Sequence, residues 1–332
     1  MSKVYPTVVV TGATGFLGRY VIKRLLEEAV NIVGMVRQEE DADSFVPHER
    51  LSFVVGDITD VESLKAVFNG AWGLINAAGL REFWNQDAQQ FYQLNYQGAV
   101  NVFEACLSCD VQHVVQASTP LAFGSPSVMP FNESTPAGPH ASDYARSKYL
   151  GDEAGINLAE EHGLPLTIVY LAALIGAGDT KDTMEVRRAV NEKMPALVGA
   201  DTRFTYLFVG DAAEALVQTL LDTTTTGKSY LIGKETATTR EYFNLIGDIA
   251  GVKVPSYNIP EKILMPVAKL MTSISKYSGK RPELPLDVLK TTQQGSLLFD
   301  ASLADKDLSI DYTPLSKALE AAVEGVREAE LV

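Results

Sequence analysis

Residues 8–18 read Val-Val-Val-Thr-Gly-Ala-Thr-Gly-Phe-Leu-Gly, a β-branched run that leads into three glycines spaced three residues apart. The apolar positions that follow, Val21 and Leu25 among them, recur at helical spacing. A strand, a tight glycine turn and a helix N-terminus leave backbone N–H groups free to face a phosphate, where side chains would obstruct it. We therefore predict dinucleotide binding by Gly12, Thr14, Gly15, Phe16, Leu17 and Gly18.

Strand and helix patterns alternate with short links through the first half of the chain. Strands are predicted at 4–11, 31–36, 51–55, 73–76, 113–117 and 166–170, and helices at 15–29, 60–69, 87–109 and 142–162. This alternation predicts an α/β fold with a Rossmann-type doubly wound parallel sheet. We assign 1–175 to the dinucleotide-binding domain, to which 206–233 return, and 176–205 and 234–332 to a smaller, mostly helical C-terminal substrate lobe.

The chain of 332 residues carries a net charge of −14 and is 46% hydrophobic. An acidic surface opposes nucleic-acid binding, because phosphate backbones need a basic face. The longest apolar runs are too short to span a bilayer, and the first strand begins almost at the N-terminus with no leader-type segment before it. These features predict a cytoplasmic protein without a transmembrane segment, whose partner is a small-molecule substrate.

The two cysteines, Cys106 and Cys109, form a C-x-x-C at the end of a helical run. The sequence has no second cysteine pair and no nearby histidine to complete four metal ligands, and its four histidines are scattered without metal-ligand spacing. We therefore predict a structural role for both thiols and no metal site.

A second motif places Tyr144 and Lys148 one turn apart near the start of a predicted helix. A free phenol has a pKa of about 10, and a neighbouring ammonium would lower it into the range useful for proton transfer. Ser118 and Thr119 follow a predicted strand, at the edge where parallel sheets bind ligands. A hydroxyl there can orient the substrate oxygen whose proton Tyr144 handles.

Several motifs occur along the chain in the order of one superfamily. They are T-G-x-x-G-x-x-G at 11–18, G-D-[LI]-x-D at 56–60, N-x-x-G-x-x-N-V at 95–102, S-[ST]-x-x-x-[YF]-G at 118–124, Y-x-x-x-K at 144–148, a V-x-D-V-A-x-A-like segment within 207–215 and F-D-x-S-[KL]-A at 299–304. The chain resembles the extended branch of the short-chain dehydrogenase/reductase superfamily, the NAD(P)-dependent epimerase/dehydratase-like proteins. Within that branch it is most similar to dihydroflavonol reductases and 3β-hydroxysteroid dehydrogenases.

By this resemblance, Thr119, Tyr144 and Lys148 form the catalytic set, with Ser118 close by. Tyr144 would exchange a proton with the substrate oxygen, Lys148 would hold the cofactor ribose, and Thr119 would orient that oxygen while the cofactor carries the hydride. The resemblance also implies a homodimer that forms through the helices predicted at 87–109 and 142–162. Besides Tyr144 and Lys148, the further cofactor contacts that it implies are Asp57 (on the adenine amino group), Ile58, Ala77, Ala78, Gly79 and Asn95.

The choice of cofactor depends on the end of the second strand, where Arg37 stands and the aspartate that NAD enzymes need is absent. An arginine fits a 2′-phosphate, so NADP(H) is favoured and NAD(H) is the alternative. Pro120 and Leu121 follow the catalytic threonine where dehydratases of this branch have Asp-Glu, which disfavours sugar dehydration.

These observations predict an NAD(P)-dependent oxidoreductase acting on a secondary alcohol or ketone of a fairly apolar, steroid- or flavonoid-like substrate. Two alternatives stay open. The first is a nucleotide-sugar 4-epimerase with tightly bound NAD, and the second is a non-catalytic NADP-binding regulator on the same fold.

An apolar helical face lies within residues 263–274, with Lys262, Lys269 and Lys276 outside it. Such a face could line the substrate pocket, touch a membrane or pack into the small lobe. We predict a core helix, because that interpretation requires no further function.

Overall fold

The computed structural model describes residues 5–82, 84–178 and 184–330. The strands in these ranges are β1 Thr7–Thr11, β2 Asn31–Val36, β3 Leu51–Val55, β4 Gly73–Asn76, β5 His113–Ser118, β6 Leu166–Leu171, β7 Ala173–Ile175, β8 Arg203–Phe208, β9 Ser229–Ile232 and β10 Glu235–Thr238. A parallel sheet runs in the order β3-β2-β1-β4-β5-β6-β9. The predicted Rossmann-type fold is confirmed. The strand order reverses between β1 and β4, which creates a crevice at the carboxyl ends of these strands.

Helices pack on both faces of the sheet and in the C-terminal part of the chain. The helices of the described ranges are α1 Phe16–Leu25, α2 Val61–Phe68, α3 Gln89–Phe91, α4 Gly98–Ser108, α5 Asp143–His162, α6 Met184–Val190, α7 Val209–Leu221, α8 Thr239–Ala250, α9 Glu261–Ser278, α10 Leu286–Gln293, α11 Ser302–Asp307 and α12 Leu315–Glu330. A π-helical segment, Tyr92–Gln97, joins α3 to α4, so the helix predicted over 87–109 contains a wider turn. Short 3₁₀ turns lie at Glu39–Ala42, Pro120–Phe123 and Thr223–Thr225.

The central strand β1 is buried on both faces. Val8 and Val10 pack in the cluster that includes side chains of α1 and α7, whereas Val9 packs in the opposite cluster with side chains of α2 and α4. All three valines are fully buried. Each such burial contributes about 1.5–3 kcal/mol, so β1 fixes the position of the glycine turn that follows it.

The C-terminal part adds a small sheet in the order β10-β8-β7 and a third core cluster. Helices α6, α8 and α12 contribute to this cluster, which includes Tyr242, Phe243 and Leu319. The chain returns from β8 to α7 and β9, which pack with the large sheet. Strand β7 lies at the end of the range predicted for the first domain and pairs in the small sheet.

Helix α9 differs from its prediction as a core helix. Ala268 and Ser275 are buried, and α9 packs against α10. On a neighbouring face, however, Ile263, Leu270 and Ile274 are exposed, so only part of the apolar surface of the helix is covered. Within the described ranges, no helix has the length and apolarity needed to cross a membrane.

Candidate active site

The glycine turn between β1 and α1 has little room for larger residues. Gly12 has a φ of +65°, and a Cβ there would lie 2.6 Å from the carbonyl oxygen of Ala77. A Cβ on Gly18 would lie 2.1 Å from the carbonyl oxygen of Gly12, so the helix packs directly on the turn. Gly15 is different, because its φ is −71° and a Cβ there would meet only the Gly12 oxygen, at 3.2 Å. A Cβ on Gly15 would thus be tight against one backbone oxygen and meet no other atom within 4 Å.

The N-terminus of α1 suits an anion. Gly15 precedes the helix without a side-chain cap, and the first turn carries no acidic residue. First-turn amides lack intrahelical partners, and the helix dipole favours negative charge beside them. The Thr14 carbonyl accepts a hydrogen bond from Arg19 Nε at 3.0 Å, while Phe16 and Leu17 are half-buried in the first turn. The residues predicted for this part of the site thus lie together at one edge of the sheet.

Polar side chains join the carboxyl ends of β1, β4 and β5. Thr11 Oγ1 donates to Asn76 Oδ1, and Asn76 Nδ2 donates to Gln116 Oε1 at 2.7 Å. The Thr11 hydroxyl also accepts from the Ala78 amide at 3.2 Å. All three side chains are buried, so these hydrogen bonds replace those lost to water. They hold residues 77–79 against the glycine turn.

Asn95, on the π-helical segment, supports the loop that follows β4. Its Oδ1 accepts from the Leu80 amide at 2.7 Å, and its Nδ2 donates to the Leu80 carbonyl at 2.9 Å and to Ser147 Oγ at 3.1 Å. Ser147 Oγ in turn donates to the Tyr144 carbonyl at 2.9 Å. Both amide hydrogens of Asn95 are therefore engaged by the protein. Asn95 thereby connects the Gly79 loop to α5, and its direct contact with the cofactor stays a prediction.

Asp57 and Ile58 follow β3 at the same edge of the sheet. Asp57 Oδ1 accepts from both the amide and the hydroxyl of Thr59 at 2.8 Å, and the carboxylate is exposed. The Ile58 carbonyl accepts from Asn101 Nδ2 at 2.8 Å, which fixes this segment on α4. Arg37 follows β2, the neighbour of β1. Its side chain is exposed and has no hydrogen bond or ion pair with the part of the chain that the structure describes.

Helix α5 carries both predicted catalytic side chains of the Y-x-x-x-K motif. Ser142 caps it, with its Oγ accepting from a first-turn amide at 3.2 Å. Tyr144 therefore lies in the first turn and Lys148 one turn later, both buried. The Tyr144 phenol is hydrogen-bonded to the side chain of Thr119, whose Oγ1 also accepts from the Leu121 amide at 3.3 Å. The structure thus brings Thr119 and Tyr144 together beyond the end of β5.

A buried carboxyl group lies behind this pair. Ser118 Oγ donates to Asp152 Oδ2, and Lys148 Nζ donates to the Ala117 carbonyl at 2.9 Å. Asp152 Oδ1 is buried without a hydrogen bond to any described residue. Burial raises the pKa of Asp152 to about 6, against the opposing effects of Lys148 and Ser118. The Ser118 hydroxyl donates to Asp152, and its predicted place in the catalytic set stays a prediction.

The pKa of Tyr144 is raised, because the side chain is buried. The charge of Arg81 and the hydrogen bond with Thr119 lower the pKa, whereas Asp152 raises it further. The lowering of the Tyr144 pKa by Lys148 stays a prediction. The ammonium of Lys148 is held at a carbonyl of β5, and burial lowers its own pKa.

Arg81 is a site residue that sequence reasoning missed. It stands two residues after Gly79, and its guanidinium carbon lies 6.0 Å from the centroid of the Phe16 ring. Its charge also acts on Tyr144, so it is close to both the glycine turn and the phenol. Nothing in the sequence marked it, because the loop after β4 has no periodicity and matches none of the motifs quoted above. Only its spacing from the Ala-Ala-Gly turn could have drawn attention to it.

Within the described ranges, no group of three or more His, Cys, Asp and Glu side chains is arranged to hold a metal ion. Cys106 is buried and Cys109 is partly exposed, and both are free thiols. Burial raises the pKa of Cys106, which keeps it protonated and inert.

A glycine turn that excludes side chains, an acid-free helix N-terminus and a Tyr-Lys helix at the same sheet edge define an extended short-chain dehydrogenase/reductase. The profile of the NAD dependent epimerase/dehydratase family matches residues 8–233. The chain belongs to this family.

Similar proteins include both reductases and epimerases. A Synechocystis sp. protein provisionally named as a dihydroflavonol 4-reductase is 26% identical over 95% of this chain and 92% of its own length. Sterol demethylase protein B of Methylococcus capsulatus is 24% identical over 98% and 100%. The crystal structure of UDP-glucuronic acid 4-epimerase from Bacillus cereus, in complex with UDP-glucuronic acid and NAD, has a TM-score of 0.78. It is 18% identical and covers 97% of this chain and 99% of its own, so it shows the shared fold.

Proposed function

We propose that this protein is an NAD(P)-dependent oxidoreductase that transfers a hydride between the nicotinamide and a secondary alcohol or ketone. The hydrogen-bonded pair of Tyr144 and Thr119, next to the glycine turn, carries the proposal. A reaction of this kind needs a proton donor or acceptor on the substrate oxygen, and a phenol beside a hydroxyl supplies one. An NAD(P)-binding protein without catalysis would have no use for this pair.

The residues at the sheet edge fit a dinucleotide. The amides of the first turn of α1 would hold the pyrophosphate, since a Cβ at Gly12 or Gly18 would fill the turn and none is present. Asp57 would accept from the adenine amino group, and Lys148 would donate to the ribose hydroxyls. When bound, NAD(P) supplies the hydride donor or acceptor.

Tyr144 handles the proton. In the reductive direction its phenol donates a proton to the carbonyl oxygen, which Thr119 holds by a hydrogen bond, and in the oxidative direction the tyrosinate takes the proton from the alcohol. Because burial raises the pKa of Tyr144, the phenol is protonated at neutral pH. The free enzyme therefore holds the proton that reduction needs. The charge of Arg81 limits the rise in the pKa of Tyr144.

The substrate class that we propose is an apolar ketone or alcohol of the steroid or flavonoid type. Two relatives that match nearly the whole chain carry names that refer to a dihydroflavonol and a sterol. Pro120 and Leu121 stand in place of the acidic pair of dehydratases, which also favours an apolar molecule.

Arg37 favours NADP(H) over NAD(H). Its exposed guanidinium has no described partner and follows the strand adjacent to β1, where a 2′-phosphate would be recognised. We expect kcat/KM for NADP(H) to exceed that for NAD(H) by about 10- to 100-fold, the value of a charged hydrogen bond. Arg37→Asp should reverse this preference. Equal kcat/KM values in the wild type would exclude a role for Arg37.

The catalytic test is the Tyr144→Phe variant, assayed with a panel of steroid and flavonoid ketones by the absorbance of the reduced cofactor. We expect kcat to fall by about 10²- to 10⁴-fold. Cofactor affinity should change little, because the ring still packs against its neighbours. Tyr149→Phe, on the next turn of α5 and half-buried, is the matched control and should keep wild-type turnover. Full activity of Tyr144→Phe would refute the assigned role.

Two outcomes would point to the alternatives. NAD that stays bound through purification, with turnover of nucleotide sugars, would identify a 4-epimerase. Measured cofactor binding with no turnover of any alcohol, ketone or aldehyde in the panel would instead identify a regulator.

A further inference from the structure

Helix α9 presents a continuous apolar stripe to solvent. The α9 stripe consists of five side chains, spaced alternately four and three residues apart: Ile263, Val267, Leu270, Ile274 and Tyr277. Ile263 and Leu270 are each 63% exposed, and Tyr277 is 96% exposed. This spacing places all five on one side of an α-helix. Scattered surface leucines need no explanation, but an ordered row of this length indicates a contact.

The stripe is not the surface that attaches α9 to the protein. The attachment face is formed by Leu264, Ala268, Met271 and Ser275, one residue further along in each turn. Ala268 and Ser275 are buried there. The helix is therefore anchored already, and the stripe remains exposed in addition to a satisfied packing face.

The charge around the stripe has the opposite sign to that of the whole chain. Residues 262–282 contain Lys262, Lys269, Lys276, Lys280 and Arg281 and no acidic residue, within a chain of net charge −14. The three helical lysines recur every seven residues and are exposed. They therefore form a row along the flank of the stripe that faces away from the attachment face. Local cations beside exposed apolar side chains match the headgroup and acyl layers of an anionic bilayer.

We propose that α9 lies in the surface of an anionic lipid bilayer, with the α9 stripe in the acyl boundary and the lysine row at the phosphates. The acidic remainder of the protein opposes this contact little, because screening limits its reach to about 8 Å at physiological salt. A tyrosine at the exposed end suits the interface, where its ring is buried and its hydroxyl stays hydrated.

A second copy of this chain fits the stripe less well. Two copies of α9 packed antiparallel about a twofold axis would place both lysine rows on the same edge of the contact. Lys262 would then lie near the partner's Lys276, and the two central lysines would face each other. Like charges in such positions oppose pairing.

The contact would bring the bilayer close to the candidate active site. Gln86 Nε2 donates to the Lys276 carbonyl at 3.3 Å, which ties the end of α9 to the loop that carries Arg81. The entry of an apolar substrate from the bilayer would follow from this proximity, and that step rests on the proposed function. The membrane contact itself does not depend on it.

Flotation of the full chain with lipid vesicles tests the proposal. We expect the wild type to float with phosphatidylcholine vesicles that contain about 30% phosphatidylglycerol, and to stay behind with pure phosphatidylcholine. The double variant Leu270→Glu/Ile274→Glu should have a vesicle partition coefficient at least tenfold lower than that of the wild type. The matched control is Val46→Glu/Val128→Glu, which makes the same change at two exposed valines outside α9 and should float as the wild type does.

Reversing the lysine row (Lys262→Glu, Lys269→Glu and Lys276→Glu together) should lower the partition coefficient by more than a hundredfold, because each lysine near an anionic surface contributes about fivefold. Circular dichroism melts should coincide for all variants, since the changed side chains are exposed. Equal flotation of the stripe variant and the wild type would overturn the proposal, as would no flotation at all. A change in oligomeric state of Leu270→Glu/Ile274→Glu without vesicle binding would also overturn it and assign the stripe to a second copy.

Discussion

Replacing Asp152 with Asn should make the protein more stable at neutral pH. The carboxyl group is buried, one of its oxygens accepts from Ser118, and the other has no described hydrogen-bond partner. An asparagine has nearly the same shape, and its Oδ1 can accept the same hydrogen bond. The substitution therefore removes the charge, together with its attraction to Lys148, and changes the shape little.

The magnitude follows from the pKa of Asp152, which burial raises from the ordinary 3.8 to about 6 in the folded protein. A raised pKa means that the folded state holds its proton longer than the unfolded state, so folding loses stability as the pH rises through this range. At about 1.36 kcal/mol per pKa unit, the loss is about 3 kcal/mol by pH 7. The asparagine variant does not undergo this loss. With about 2.1 cal/mol/K of unfolding entropy per residue, the difference corresponds to about 4 °C in Tm.

The assay is thermal and urea unfolding of the wild type and Asp152→Asn at intervals from pH 4 to pH 7. At pH 4 the folded forms carry the same local charge, and their stabilities should agree, whereas at pH 7 the variant should be more stable by about 3 kcal/mol. Glu153→Gln, an exposed carboxyl on the same helix, is the control and should stay within about 0.5 kcal/mol of the wild type at every pH. The reasoning would be refuted if the free energies of unfolding of the wild type and Asp152→Asn changed in parallel with pH. It would also be refuted if the wild type became more stable relative to the variant as the pH rose.

Three further substitutions separate binding, protonation and packing. Gly15→Ala should lower NAD(P) affinity by about 10- to 100-fold with a small change in Tm, because its methyl would meet only the Gly12 carbonyl oxygen and would occupy space beside the turn. Isothermal titration calorimetry measures the affinity, and undiminished affinity would contradict phosphate binding at this turn. Arg81→Gln should move the pH profile of alcohol oxidation to higher pH, because Arg81 lowers the pKa of Tyr144, and Arg81→Lys should restore it. Arg24→Ala should lower the free energy of unfolding in urea by about 1–2 kcal/mol, because Arg24 forms ion pairs with a glutamate of α7 and, at 2.6 Å, with Glu28. No change would show that these ion pairs are solvated and do not stabilise the fold.

The large sheet was predictable because each of its signals is local. A parallel strand buried on both faces reads as an unbroken β-branched run, as in Val8–Val10, and the next helix follows at once. The glycine turn and the Tyr144/Lys148 spacing are also short-range patterns. Their neighbourhood in space follows from the sheet topology alone, since the carboxyl ends of parallel strands meet at one edge.

The electrostatics of the site could not be predicted in the same way. The pKa of Tyr144 depends on Arg81, 63 residues away, and on the extent of burial, and neither leaves a periodic trace in the sequence. The role of Asp152 required the position of Ser118 on another element. The exposure of α9 was missed because a helical pattern predicts that one face of the helix is apolar. It does not predict whether another element packs against that face.

The path of the chain between the two sheets constrains how the molecule can open. It leaves the large sheet after β6, returns through β8 and α7, leaves again at β10 and comes back at α11, whose Ala304 packs in the main core. Because several chain segments connect the two parts, the small lobe has no single hinge about which it could rotate. Ligand access must therefore come from the loops at the rim, and we expect the two parts to melt as one cooperative unit.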